Sequence, residues 1–342
     1  MTRSSIIADG ATRLTKPLAL ALGDPAGIGP EIAAKAWERR RQEGLAPFFA
    51  VGLPDALAAV WDGPIRTISD PDEAISAFDD ALPVIRVDGG GAISPGQPTL
   101  EGARKALESL ELAVGLTRSN AASALITGPV SKAQLYAIGF AHPGQTEFVA
   151  ERCGMAGGMV AMMLAGPTLR TVPVTTHIPL RDVPDLLSIE LIVAKGRTTI
   201  RGLRRQFGIA RPRLAVAGLN PHAGEGGALG REEIDIVIPA IERLREEDAE
   251  VTGPFAADTM FHERARAGYD AALCLYHDQA LVPLKTLHFD DGVNMTLGLP
   301  IVRTSPDHGT AFAIAGTGQA HPGAMIAALR MAAQCAERVA LA

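Results

Sequence analysis

Short apolar runs alternate with longer stretches of helical periodicity along most of the chain. Residues 18–22 (LALAL), 48–51 (FFAV), 124–127 (ALIT), 214–217 (LAVA) and 271–275 (AALCL) are nearly continuous apolar segments bounded by Gly, Pro or polar residues. They are too short for helices and predict strands buried on both faces. Between them Leu100, Ala103, Leu107, Leu110 and Val114 recur at spacings of three and four, as do Ile189, Ile192, Val193, Ile200, Leu203 and Phe207. Each stripe marks the core-facing side of an amphipathic helix. Strand and helix in alternation predict an α/β fold with parallel sheets. Neither an internal repeat nor a low-complexity linker is visible, so a domain boundary must fall in loops rich in Gly and Pro.

Length changes this picture from one core to two. A chain of 342 residues suits two α/β domains of roughly 150 residues each. With 47% hydrophobic and 20% charged residues it has ample apolar surface to bury, which removes the case for a disordered chain. Only 4% of residues are aromatic and the net charge is −6. Such a chain lacks the stacking platforms and basic stripe that nucleic-acid binding needs, and has little long-range attraction for phosphate backbones or anionic lipids. An anionic substrate must then be met by a few local cations near glycine-rich turns. Cys153, Cys274 and Cys335 are widely spaced and form no CxxC, so neither a disulfide framework nor a cysteine zinc site is expected, and a reducing compartment fits. The first sixteen residues hold Asp9 and no apolar h-region, and no stretch offers ~20 uninterrupted apolar residues. The expectation is a cytoplasmic protein with no membrane span and no nucleic-acid partner.

Several turns carry chemistry-bearing residues. The run GDPAGIGPE at 23–31 joins a strand to a helix, with Pro30 in the first turn, and serves either as a tight turn or as a ligand-lining loop. It is not GxGxxG, because Ile32 stands where the third Gly would be. LITGPVSK at 125–132 ends a second strand at Gly-Pro, where N–H groups can meet an anion, while Lys132 also reads as a solvated charge. In HPGQTEF, Thr146 can cap a helix or touch a ligand, and taken alone the cap is the better reading. Three histidines each follow an apolar strand-like run: His177 in VTTHIPL, His222 in GLNPHAGEGG and His277 in LYHDQ. Taken singly each reads first as a hydrogen-bonded loop residue; their shared strand-end placement lets them converge at one sheet edge as a divalent-metal site. His142, His262, His288, His308 and His321 have less consistent settings. Lys285, Asn294 and Arg303 lie in loop-like segments and can form an anion clamp; surface salt bridges are the competing explanation.

In order along the chain, GDPAGIGPE, LITGPVSK, PGQTEF, TTHIPLRD, GLNPHAGEGG, YHDQ, GVNMTLGLP and RTSPDHGTA closely resemble the 4-hydroxythreonine-4-phosphate dehydrogenase family of pyridoxine 5′-phosphate biosynthesis. The resemblance implies that His177, His222 and His277 hold one divalent metal ion (Zn, Mg or Co), and that Thr146, Lys285, Asn294 and Arg303 bind substrate. It implies NAD or NADP as cofactor, with Gly309 in the nucleotide-binding loop. The implied fold is that of the isocitrate and isopropylmalate dehydrogenases: two α/β/α lobes with the active site in the cleft between them, in a homodimer with shared active sites. Residues 1–130 and 285–342 would form the cofactor-side lobe, and 131–284 the lobe with the metal ligands and dimer interface. The implied reaction oxidises 4-phosphooxy-L-threonine to 2-amino-3-oxo-4-phosphooxybutanoate, which decarboxylates to 3-amino-2-oxopropyl phosphate. Lys285 is the expected proton-transfer residue, with Asp258 and Asp278 as possible orienting carboxylates. The sequence departs from the family at Gln145, where His is usual; Gln donates a hydrogen bond but cannot become cationic. Alternatives are a dehydrogenase of D-threonate or D-erythronate 4-phosphate, a phosphotransacetylase-like acyl transferase, and a non-catalytic anion-binding protein.

Overall fold

The computed structural model describes residues 14–89, 91–155, 159–246 and 249–341. Its contacts divide the chain into two compact units, one of Met155–Gly298 and one of residues 14–154 with Leu299–Leu341. The sequence reading put the boundaries at 130/131 and 284/285. Residues 131–154 instead stay with the N-terminal unit, where helix Lys132–Ala137 packs on helix Leu100–Arg118. Residues 285–298 stay with the middle unit, because their strand pairs there.

In the unit of 14–154 and 299–341, strands β1 (Leu18–Ala21), β2 (Phe48–Gly52), β3 (Ile65–Ile68), β4 (Leu82–Arg86), β5 (Leu125–Thr127) and β12 (Arg303–Pro306) follow the order β3-β4-β2-β1-β5-β12. Every pairing is parallel, with Leu18 opposite Phe48 and Ala19 opposite Leu125. The apolar runs 18–22, 48–51 and 124–127 are buried here, as continuous hydrophobicity demands of strands covered on both faces. Helix Leu100–Arg118 begins where the Thr99 hydroxyl accepts the Gly102 N–H, and it packs on β1 and β2. Its stripe buries Ala103, Leu110 and Val114, but Leu100 in the first turn stays 44% exposed.

In Met155–Gly298, strands β6 (Ala161–Ala165), β7 (Arg170–Pro173), β8 (Arg213–Ala217), β9 (Glu250–Phe255), β10 (Ala271–Cys274) and β11 (Val293–Leu297) follow the order β11-β6-β7-β10-β8-β9. β7, β10, β8 and β9 are parallel. β6 runs antiparallel to both β7 and β11, an addition to the parallel strands that the alternation of strand and helix predicts. The connection from β6 to β7 is closed by a Gly166 N–H to Leu169 carbonyl bond; so short a link makes a hairpin, since a parallel crossover needs a dozen or more residues. Helix Ile189–Phe207 is capped by Ser188 and ends at Gly208, whose φ of +67° suits a residue without Cβ. Among the described residues, no helix is long and apolar enough to cross a membrane.

Candidate active site

In Met155–Gly298, β7, β10 and β8 are parallel neighbours and their carboxyl ends open on one edge. His177 follows β7, His277 follows β10 and His222 follows β8, the placement typical of ligand-binding residues in parallel α/β sheets. His177 and His277 stand together, ring centroids 5.6 Å apart, in a cavity of about 230 Å³ also lined by Thr175, Ile178, Tyr276 and Asp278. Nδ1 of His277 lies 2.7 Å from Oδ1 of Asp278. A carboxylate on one ring nitrogen fixes the ring and leaves the other nitrogen for a ligand, so this pair fits a divalent cation. His222 is exposed on its own loop. Among the described residues, no group of three or more His, Cys, Asp or Glu is gathered at metal-holding spacing; the three histidines share an edge and two share a cavity without closing into one ligand set.

The turns that present these rings are strained and heavily braced. His177 has φ +52° and His222 φ +51°, and Ala223 and Glu225 are also left-handed. Each such non-glycine residue costs roughly 1–2 kcal/mol, which persists only where surrounding bonds over-determine the turn. Buried Glu233, on a π-helical turn, accepts the N–H groups of Leu219 and Asn220, each at 2.8 Å, and the Asn220 amide at 2.9 Å. Gln279 accepts the Leu275 N–H and donates to the Gly218 carbonyl, both at 2.7 Å. It thereby ties the end of β10 to the end of β8. The Thr175 hydroxyl and the Val174 N–H bind the carbonyls of Leu275 and Cys274, holding the β7 end to the same point.

Lys285 is half-buried on helix His277–Leu287 and borders a groove with Asp278, Leu281, Val282 and Thr286. Spacings of three and seven residues put Asp278, Leu281 and Lys285 on one stripe of that helix. Asn294 lies in β11 opposite Leu164, and its buried Oδ1 has no hydrogen-bond partner among the described residues. A buried orphan acceptor is rare and marks a place where a ligand donor would be welcome. Asp258 is exposed on the turn Ala257–Thr259.

The other unit gathers a different set. Arg303, at the start of β12, is 3% exposed. Its Nη1 donates to Thr146 Oγ1 at 3.2 Å and its Nη2 to Thr127 Oγ1 at 2.7 Å. Burial lowers the guanidinium to about 10, opposed by the nearby charge of Glu147. The surface salt-bridge explanation therefore fails for Arg303. So does the capping reading of Thr146: Gly144 is the N-cap of helix Gln145–Arg152, and the Thr146 hydroxyl serves Arg303. Gln145 is half-buried and its amide donates to the Gly128 carbonyl at 3.2 Å. In LITGPVSK, Ser131 caps the helix that follows, while Lys132 is exposed. Gly309 is exposed, with nothing among the described residues within 4 Å of where a Cβ would sit, on a loop that reaches Ala320.

The sequence assigns no role of their own to Thr127, Gln279 and Glu233; Thr127 lies within LITGPVSK and Gln279 closes YHDQ, while Glu233 lies in no motif.

The sequence model of the family described as pyridoxal phosphate biosynthetic protein PdxA matches residues 48–332. The 4-hydroxythreonine-4-phosphate dehydrogenase of Zymomonas mobilis subsp. mobilis is 59% identical over 94% of this chain and 96% of its own length. The protein of the same name from Erythrobacter litoralis is 56% identical over 94% and 97%. A crystal structure of 4-hydroxythreonine-4-phosphate dehydrogenase from Klebsiella pneumoniae is similar with a TM-score of 0.85 at 39% identity, covering 94% of this chain and all of that one.

Proposed function

Because the chain belongs to the pyridoxal phosphate biosynthetic protein PdxA family, we propose that it oxidises 4-phosphooxy-L-threonine to 2-amino-3-oxo-4-phosphooxybutanoate, using NAD or NADP and one divalent metal ion. The product loses CO2 to give 3-amino-2-oxopropyl phosphate, since the new carbonyl is β to the carboxylate. When bound, the metal would supply Lewis acidity at the reacting hydroxyl and the oxidised dinucleotide would supply hydride-acceptor chemistry. His177, His222 and His277 are the metal ligands, and Asp278 orients the ring of His277. Lys285 takes the hydroxyl proton and balances developing charge. Arg303, Thr146, Gln145 and Asn294 hold the polar and anionic ends of the substrate, the Arg fork matching a phosphate or carboxylate. Gly309 and its loop contact the dinucleotide.

The remaining assignments follow the same reading. The lobe with the histidines supplies the dimer interface, the lobe with Gly309 is the cofactor side, and the enzyme is a cytoplasmic homodimer with shared active sites. The observation that supports this function most is the placement of His177, His222 and His277 after three adjacent parallel strands, in a chain 59% identical to a 4-hydroxythreonine-4-phosphate dehydrogenase.

The test is formation of NADH or NADPH by metal-loaded protein from 4-phosphooxy-L-threonine, with D-threonate and D-erythronate 4-phosphates in parallel and His222→Ala as control. Metal-dependent reduction strongest with 4-phosphooxy-L-threonine and lost in the control supports the reading. Preference for a phosphorylated sugar acid would make Gln145 a specificity residue and refute the substrate. No dinucleotide reduction by folded protein would refute the dehydrogenase.

A further inference from the structure

The loop from Gly309 to Ala320 has little regular structure of its own beyond the short turn Phe312–Ile314. Its backbone enters the left-handed region at Ala311, Gly316 and Gly318, with φ of +43°, +73° and +75°. Propensity cannot specify such a path, so its shape must come from outside the loop. The first helix, Gly29–Glu38, supplies what is needed. Glu31, 2% exposed, accepts the Gly316 N–H on Oε2 at 3.1 Å and the Ala320 N–H on Oε1 at 3.2 Å. Lys35 donates to Glu31 Oε1 at 2.8 Å and to the carbonyls of Gly318 and Ala320, both at 2.7 Å. All three ammonium donors of Lys35 are thus used, two of them on the loop. At the loop's other end the Ile28 N–H binds the Thr310 carbonyl at 3.0 Å, and Gly27 lies so close that a Cβ there would stand 3.1 Å from that oxygen.

We infer that Glu31, acting with Lys35, is the positioning residue of the nucleotide-cofactor loop: buried Glu31 and half-buried Lys35 set the path of Gly309–Ala320 and through it the affinity for the dinucleotide. This rests on the assignment of that loop to the cofactor. Both side chains turn inward to the loop's backbone, while residues 316–319 and Gly309 remain exposed. Glu31 and Lys35 therefore act on the cofactor only through the loop. A buried carboxylate bound to backbone N–H groups and an ammonium is costly to disturb, because its partners are left unsatisfied. Glutamine at position 31 keeps the size and one acceptor oxygen, but turns a second N–H group toward donors that need an acceptor.

The test uses the full-length, metal-loaded enzyme with direct fluorescence titration of NADH and NADPH, beside steady-state kinetics and calorimetric binding of 4-phosphooxy-L-threonine. Glu31→Gln and Lys35→Met should each weaken dinucleotide binding by about tenfold or more, the factor one unsatisfied buried polar group is worth. KM for the cofactor should rise in step, while kcat at saturating cofactor and the affinity for the phosphorylated substrate stay near wild type. A cooperatively melting Glu31→Gln with wild-type dinucleotide affinity overturns the inference, and so does an equal loss of affinity for both ligands. Gly309→Val separates the two levels. If it weakens the dinucleotide and Glu31→Gln does not, the positioning role alone is refuted; if neither does, the loop is not the cofactor site.

Discussion

In Met155–Gly298 the chemistry-bearing rings of His177 and His222 are exposed on left-handed turns at the end of a mixed sheet. In the unit of 14–154 and 299–341, Arg303 is buried to 3% exposure beside Thr127 and Thr146 among parallel strands, and the Gly309–Ala320 loop is held by buried Glu31 and half-buried Lys35. Under the proposed function the two regions would meet opposite partners. Imidazoles meant for a cation must be neutral and accessible, and metal coordination can offset the strain of the turns that present them. A cation meant for an anion gains most where water is excluded and its fork is already held, so that little reorganisation remains when the anion arrives.

The sharpest way to break this contrast is to remove a ring from the exposed edge. His177→Ala or His277→Ala should lower kcat/KM by ~10³ or more, the several kcal/mol that a Lewis acid contributes, with unfolding nearly unchanged; kinetics beside thermal melting reads both. Arg303→Met should follow, with a loss of ~10²–10³ in kcat/KM, the usual result of truncating one member of a buried charge contact. With the guanidinium orienting substrate as proposed, the loss should fall mainly on KM for the phosphorylated acid, and Arg303→Lys should recover only part of it.

Smaller effects sharpen the comparison. Gln279→Leu cuts the tie between the β8 and β10 ends, and metal affinity measured by chelator competition should fall ~10–100-fold, as for other residues that orient ligands. Asp24 gives the smallest and most diagnostic effect. Burial raises its pKa despite the Ala26 N–H on its carboxylate. A carboxyl raised on folding contributes stability below its unfolded value and loses it as pH rises through the folded value. Asp24→Asn should therefore stabilise the protein near neutral pH, by on the order of 1 kcal/mol, and the gain should vanish in acid. Denaturant melts across pH 3 to 8 check the sign (~5 pH units bracketing an ordinary carboxyl).

Continuous apolar runs made β1, β2, β5, β8 and β10 legible, because strands covered on both faces need hydrophobicity at every position. β3 escaped because Arg66 and Thr67 leave it half polar at a sheet edge. The β6–β7 hairpin escaped because pattern states that a strand is buried, not which way its neighbour runs. The three histidines were legible by their strand-end placement. The residues that brace them were not: Glu233 and Gln279 carry no periodic signal, and what they bind is settled only when distant turns meet. Arg303 was named as an anion ligand, yet its burial could not be read from the glycines and prolines around it.

Metal binding tests the proposed function most directly. Chain stripped with chelator and titrated with Co(II) should bind one ion through imidazole nitrogen, seen in its visible absorption, and oxidation of 4-phosphooxy-L-threonine should rise in proportion to occupancy. His177→Ala, His222→Ala and His277→Ala should each lose both. Full turnover by the stripped chain, or Co(II) binding unchanged when all three histidines are replaced, would contradict it.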